Sequence, residues 1–209
     1  MSGPLILSVD ASMPVLSIAL LRGDSLLGAI ALEGKQSRNE KLLPAIDWLL
    51  GETGVALSAV ELLVATRGPG SFTGVRVAMA TMQGLAFAIE KPLCTLSTHE
   101  AVVLGILVRK SALVFGDAGR GDVYASVFRD RKEVLPPTLL SRERLDDLSG
   151  GIEMVDLDLL AESQNIALLA ARRAGQIREM DLLGDWAESV PIYVRLAEAE
   201  VKLRQKLDG

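Results

Sequence analysis

The feature that most constrains the fold is a short pattern that occurs twice. An aliphatic strand ends in aspartate, alanine and a small residue, and a tight turn then leads into a second strand. The two copies are LSVDAS at 7–12 and VFGDAG at 114–119, so Asp10 and Asp117 occupy matching places. Because aspartate favours turns in general, two explanations stay open, a duplicated structural unit or common turn chemistry.

Aliphatic runs and helical spacing predict an α/β chain. Strands are expected over 5–12, 15–22, 25–33, 59–66, 92–97, 112–119, 123–128 and, as a short strand-like segment, 190–195. Helices are expected over 39–52, 75–89, 98–108, 163–177 and 196–207. Pro136, Pro137 and the SGG run at 149–151 indicate loops.

A glycine-rich loop precedes the second helix and consists of Gly68, Pro69, Gly70, Ser71, Phe72, Thr73 and Gly74. It lacks the lysine of a P-loop, and Thr73 stands where a dinucleotide fingerprint needs its third glycine. Gly68 and Gly70 are suited to positive φ angles, and Ser71 or Thr73 can cap the following helix. We therefore favour helix capping over a bound phosphate.

The second helix has two distinct faces. Its apolar stripe is suited to packing on a sheet and consists of Val75, Met79, Met82, Leu85 and Ile89. Ala80, Gly84 and Ala88 recur every four residues on another side, where small side chains allow another helix to come close. The sequence leaves open whether that helix belongs to this chain or to another subunit.

Composition excludes several classes of function. The 209 residues contain one cysteine, Cys94, and one histidine, His99, so an internal disulfide or a histidine-based metal site is not expected. A net charge of -5 disfavours direct binding to nucleic acid. The start of the chain lacks signal-peptide features, and the AVVLGILV run at 101–108 is too short to cross a bilayer. A soluble, cytoplasmic protein without membrane contact is expected.

Five motifs together strongly resemble the TsaB family, also called YeaZ. They are SVDAS, RNEKLLPAIDWLL, GPGSFTGVRVAMATMQGLA, the Asp-Ala-x-Arg-Gly-x-Val-Tyr run at 117–124, and Pro-x-Tyr-x-Arg at 191–195. The order is kept through nearly the whole chain. Two departures are Gly119, where the family commonly has arginine, and His99, in a segment that more often reads Ser-Leu-Glu.

The resemblance implies a duplicated, two-lobed actin-like ATPase fold, related to ribonuclease H, with mixed sheets flanked by helices. It divides the chain into an N-terminal lobe over 1–108, a smaller lobe over 109–195 and a C-terminal helix over 196–209. Asp10 and Asp117 would then mark a vestigial nucleotide site. No cofactor is firmly expected, and ATP with magnesium is the only candidate.

The resemblance also implies a role without catalysis by this chain alone. Such proteins support TsaD, with the ATPase TsaE, in forming threonylcarbamoyladenosine next to the anticodon of tRNAs that read codons beginning with A. The activated intermediate comes from another enzyme, and tRNA is contacted only through the complex. The partner interface, used for TsaD or for a homodimer when TsaD is absent, is expected to include Leu42, Ile46, Leu49, Ala80, Gly84 and Ala88.

Two other functions remain as alternatives. A free-standing ATPase or sugar-type kinase of the actin-like fold would use Asp10 and Asp117. A peptidase would depend on Ser71 or Cys94. No catalytic or metal-binding residue is assigned on the favoured interpretation.

Overall fold

Two mixed β-sheets, formed one after the other along the chain, organise the computed structural model, which describes residues 3–33, 38–105, 111–179 and 190–194. The predicted C-terminal helix over 196–209, Arg195 and the end of the third predicted helix over 106–108 lie outside these residues. The elements in chain order are β1 (Leu5–Asp10), β2 (Leu16–Arg22), β3 (Ser25–Leu32), α1 (Arg38–Thr53), a short 3-10 helix (Leu57–Ala59), β4 (Leu62–Thr66), α2 (Phe72–Ile89), β5 (Leu93–Leu96), α3 (Thr98–Gly105), β6 (Ser111–Gly119), β7 (Asp122–Arg129), β8 (Lys132–Ser141), α4 (Glu143–Ser149), β9 (Glu153–Asp156), α5 (Leu157–Ser163) and α6 (Ile166–Glu179).

The first sheet has the strand order β3-β2-β1-β4-β5. Strands β1 to β3 are antiparallel, whereas β4 runs parallel to β1 and β5 parallel to β4. Because side chains alternate along a strand, Leu7 and Val9 pack with α1 and α2 on one face, and Ile6 packs with α6 on the other. Helices therefore cover both faces of this sheet.

The second sheet repeats that plan with the order β8-β7-β6-β9. Its three antiparallel strands, β6 to β8, are followed by β9, which runs parallel to β6. Asp10 ends β1 and Asp117 lies near the end of β6, so the two aspartates hold equivalent positions. This confirms the predicted duplicated, two-lobed α/β fold with mixed sheets flanked by helices.

Helix α6 crosses back from the second lobe to the first sheet. It packs against β1, β2, β4 and β5, and it also contacts α3. The Asn165 side-chain amide donates to the carbonyls of Ile18 at 3.3 Å and Ile30 at 2.9 Å, while its oxygen accepts from the Leu168 amide at 2.9 Å. The sequence-based division placed this helix in the smaller lobe, but its packing partners belong to the first sheet.

Five elements were not predicted from the sequence, namely the 3-10 helix, β8, α4, β9 and α5. β8 contains Pro136 and Pro137, which indicated a loop; it is an edge strand, where a missing N–H is tolerated. The strand-like interpretation of 190–195 was wrong over 190–194, which form no strand. The Ile192 amide in this segment donates to the Arg67 carbonyl at 2.7 Å.

Helix α2 is long and apolar enough to cross a membrane by length and composition alone. In the fold, however, it lies on the first sheet, where Val75, Met79 and Met82 are buried in the core. The predicted apolar stripe of this helix is therefore confirmed as its sheet-facing side.

Candidate functional site

A cleft of about 420 Å³ lies between the two lobes and is the first candidate site. The turn after β1 and the glycine loop form one side, and the end of β6 with the start of α5 forms the other. The residues that line it are Ser12, Met13, Pro14, Pro69, Gly70, Ser71, His99, Gly116, Asp117, Ala118, Gly119, Tyr124, Leu157 and Asp158. The cleft therefore brings both repeats of the opening motif together.

Asp10 does not line this cleft, because its side chain is fully buried and already hydrogen-bonded. One carboxylate oxygen accepts from the Ser12 hydroxyl at 2.6 Å and from the Thr66 hydroxyl, and the other accepts from the Met13 amide at 3.4 Å. Burial raises the pKa of this carboxyl above its usual value, against the opposing effect of these hydrogen bonds. Asp10 thus ties the ends of β1 and β4 together.

Asp117 is exposed at the edge of the cleft. Its backbone amide donates to the Asp158 carboxylate at 2.7 Å, which fixes the turn after β6 to the start of α5. The two aspartates predicted as a pair therefore have different environments, and only Asp117 faces the cleft.

The glycine loop folds tightly against the turn after β1. The Ser71 amide donates to the Ser12 carbonyl at 2.7 Å, and the Ser71 hydroxyl accepts from the Gly74 amide at 3.2 Å, capping α2. Gly68 and Gly70 have φ angles of +88° and +150°, and a Cβ on Gly70 would lie 2.3 Å from the Ser12 carbonyl oxygen. The loop thus performs the predicted capping role, with Ser71 as the capping residue.

The residues of the cleft do not fit a magnesium-bound nucleotide. Asp10 is buried and engaged, and the Ser71 and Gly74 amides already have acceptors within the chain. The side chains that line the cleft within the described residues include two carboxylates, Asp117 and Asp158, and no lysine or arginine. Two carboxylates could contact a magnesium ion, but the described residues contain no group of three or more His, Cys, Asp or Glu side chains that could hold one.

The other two candidate nucleophiles or bases are buried. Desolvation raises the pKa of the Cys94 thiol to about 12, so the reactive thiolate is disfavoured. Desolvation also lowers the pKa of His99 to about 3, and its Nδ1 atom lies 2.6 Å from the Ser126 hydroxyl of the second sheet. Both residues are packed between structural elements, and His99 joins α3 to β7.

A second candidate site is the exposed face of α1 and α2. Among the large apolar side chains of these helices, Leu43 is 52% exposed, Trp48 59% and Phe87 79%. Ala80, Gly84 and Ala88 are exposed on the same helix as Phe87, and a Cβ on Gly84 would meet no atom within 4 Å. Around the axis of α2, the four exposed residues Ala80, Gly84, Phe87 and Ala88 fall within about 100° of one another. We call these four residues the open helical face.

The structure corrects the α1 part of the predicted interface. Leu42, Ile46 and Leu49 are buried in the core of the first lobe, because this stripe of α1 faces β2 and β3. Leu49 passes close to Gly28 of β3, where a Cβ would lie only 2.8 Å from its Cδ1 atom. Sequence reasoning missed Leu43, Trp48 and Phe87, although apolar residues outside the core stripe were a usable signal.

An aromatic and cationic cluster lies at the start of α2. The Arg76 guanidinium stacks 3.8 Å from the centre of the Phe72 ring, and its Nε donates to the Tyr193 hydroxyl at 2.7 Å. The two rings are 5.1 Å apart. The Pro-x-Tyr segment that ends the described chain is thereby fixed to α2.

The sequence of this chain is similar to a protein-family model and to named proteins of two bacteria. The model of the TsaD family, described as tRNA N6-adenosine threonylcarbamoyltransferase, matches residues 32–183. The tRNA threonylcarbamoyladenosine biosynthesis protein TsaB of Bacillus subtilis is 27% identical, over 94% of this chain and 96% of that protein. The Escherichia coli protein of the same name is 30% identical, over 69% of this chain and 68% of its own length.

A solved structure has the same architecture. It is a Pseudomonas aeruginosa protein described as uncharacterised with similarity to the peptidase YeaZ, and it superposes with a TM-score of 0.71 at 25% identity. The alignment covers 93% of this chain and 100% of that one. Both lobes of the present fold therefore have counterparts in that structure.

Proposed function

Because the chain belongs to the TsaB (YeaZ) family, we propose that it acts in the biosynthesis of threonylcarbamoyladenosine in tRNA as a subunit that binds and supports a TsaD protein. TsaD would carry out the transfer, and this chain would contribute no catalytic group. Contact with tRNA would be made through the complex. On this proposal the chain works in the cytoplasm, with TsaE as a further partner and a homodimer as the state without TsaD.

The observation that carries the proposal is the open helical face. Large apolar side chains that remain exposed commonly mark sites of protein association. Here Phe87 lies among the small residues of the exposed side of α2, on which a partner helix could pack closely. Ala80, Gly84 and Ala88 form that surface, and we retain them as partner contacts, with Phe87 added to them.

The environments of three candidate catalytic residues support a role without catalysis by this chain. Cys94 is held as a buried thiol, Ser71 is used as a helix cap, and Asp10 is used to join two strands. These side chains therefore serve the fold, which favours a binding subunit over the kinase and peptidase alternatives.

The proposal is tested by placing a large side chain in the open helical face. We expect Gly84→Leu to block close helix approach and to lower the affinity for the TsaD of the same organism by roughly tenfold or more, about 1.4 kcal/mol for each factor of ten. The substituted side chain enters open space in the isolated subunit, and leucine is a better helix former than glycine. Thermal stability should therefore not fall. Affinity is measured by calorimetry and stability by circular dichroism.

Glu162→Leu is the matched control, because it adds the same side chain at an exposed position of α5, away from the open helical face. It should bind TsaD like the unchanged chain. Wild-type affinity in Gly84→Leu would show that this surface is not the interface. Co-expression with TsaD, followed by measurement of modified tRNA with and without this chain, tests the role itself.

A further inference from the structure

From the cluster at the start of α2 we infer a specificity-determining contact within the proposed interface: Arg76 receives a carboxylate from the partner helix that packs on the open helical face. This inference rests on the proposed function. It adds a charged contact to a surface that is otherwise apolar, and it identifies the partner side chain by its chemistry.

The position of Arg76 on α2 is the first observation. Each residue of a helix advances about 100° around the axis, so Arg76, Ala80 and Phe87 fall within about 40° of one another. Arg76 is also exposed, as are Ala80 and Phe87. The arginine therefore stands at the N-terminal end of the surface that the partner would cover.

The way Arg76 is held is the second observation. The centre of the Phe72 ring lies 3.8 Å from the guanidinium carbon, and the centre of the Tyr193 ring lies 5.4 Å from it. The Tyr193 hydroxyl accepts a hydrogen bond from Nε at 2.7 Å. Stacking and this hydrogen bond fix the side chain before any partner arrives, which lowers the entropy lost on binding. The terminal Nη groups carry the donors suited to a planar carboxylate.

Charge is the third observation. Within residues 3–33, 38–105, 111–179 and 190–194, no carboxylate forms an ion pair with Arg76, whereas Arg173 and Arg178 pair with Glu100 and Glu61. The net charge of -5 disfavours contact between this chain and an RNA backbone. An acidic protein side chain, a single local charge, therefore suits this site better than a run of phosphates.

The test measures the affinity of the full chain for the TsaD of the same organism at several salt concentrations. Arg76→Gln should weaken binding about tenfold at low salt and should flatten the dependence of affinity on salt, because a charge pair is screened by ions. Tyr193→Phe removes the acceptor for Nε but keeps the ring, and should weaken binding about twofold to threefold. Arg144→Gln, at an exposed position of α4, is the matched control and should leave both quantities unchanged.

Each outcome is informative. Binding by Arg76→Gln with wild-type affinity and an unchanged salt dependence would overturn the inference, while loss of binding in Gly84→Leu would still support the interface. Weaker tRNA binding by the assembled complex, with unchanged affinity for TsaD, would identify the anion as a phosphate and also overturn it. No binding of TsaD by the unchanged chain would remove both proposals. Circular dichroism of Arg76→Gln checks that the fold is retained.

Discussion

The four strands of the second sheet repeat the order of the first four strands of the first sheet, yet the aspartates at the matching strand ends differ in burial and in hydrogen bonding. Asp10 is buried and accepts hydrogen bonds from Ser12, Thr66 and Met13. Asp117 is exposed, and its backbone amide donates to the Asp158 carboxylate. A duplicated topology therefore preserves the place of a residue without preserving its task, which here is structural in the first lobe.

Two glycines that line the cleft, Gly70 from the glycine loop and Gly119 from the turn after β6, differ in the same way and give the largest expected effect. Gly70→Ala should destabilise the fold by about 4 kcal/mol, because a strained φ angle adds to a collision with the Ser12 carbonyl oxygen. Gly119→Ala should cost only about 1 kcal/mol, since its φ is +73° but a Cβ there meets no atom within 4 Å. Urea denaturation of both variants measures the difference. Equal losses of stability in the two variants would contradict the expected difference.

Substitution of the two aspartates should give the next largest difference in the free energy of unfolding. Asp10→Ala should lower the free energy of unfolding by about 3 kcal/mol, because the buried hydroxyls of Ser12 and Thr66 lose their acceptor. Asp117→Ala should change it by less than about 0.5 kcal/mol, as is usual for an exposed side chain. Thermal denaturation of the two variants provides the comparison, and a large loss in Asp117→Ala would assign that residue a structural role.

The contact that His99 makes between the lobes should give the smallest of these changes in the free energy of unfolding, and this change depends on pH. His99 has a pKa of about 3 when folded and 6.5 as its ordinary value, so the unfolded chain binds more protons between these values. Its contribution to stability is complete above pH 6.5 and is lost as the pH falls towards 3. Between pH 7 and pH 5 the loss should be about 2 kcal/mol.

Denaturation of the unchanged chain and of His99→Gln at both pH values isolates this contribution. Asp10 acts with the opposite sign, because burial raises its pKa, but it is present in both proteins. A pH dependence that persists unchanged in His99→Gln would show that another group is responsible.

Much of the first lobe was predictable because its signals are local. Alternating aliphatic residues predicted β1 and β2, helical spacing predicted α1 and α2, and Ser71 was among the two candidate caps. The second lobe was predicted less completely. β9 has four residues, too few to show an alternation of apolar and polar side chains. Pro136 and Pro137 indicated a loop rather than β8, because a proline is tolerated in a strand only at the edge of a sheet.

The site was predicted less well than the fold, because helical spacing does not say what a stripe faces. Leu42, Ile46 and Leu49 have the spacing of an interface, but the sheet of their own chain already covers them. Leu43 and Trp48 are exposed only because that stripe is turned inward. The cluster of Arg76 and Tyr193 joins residues 117 positions apart, and local patterns do not reveal such a contact.

The return of α6 to the first sheet has a consequence for synthesis on the ribosome. One face of that sheet is covered by residues from 167 to 177, and Asn165 holds the carbonyls of Ile18 and Ile30. A nascent chain that has only emerged through β5 has no α6 to cover the face that contains Ile6 and Val64. The first lobe to be translated is therefore unable to finish folding until α6 has also been made.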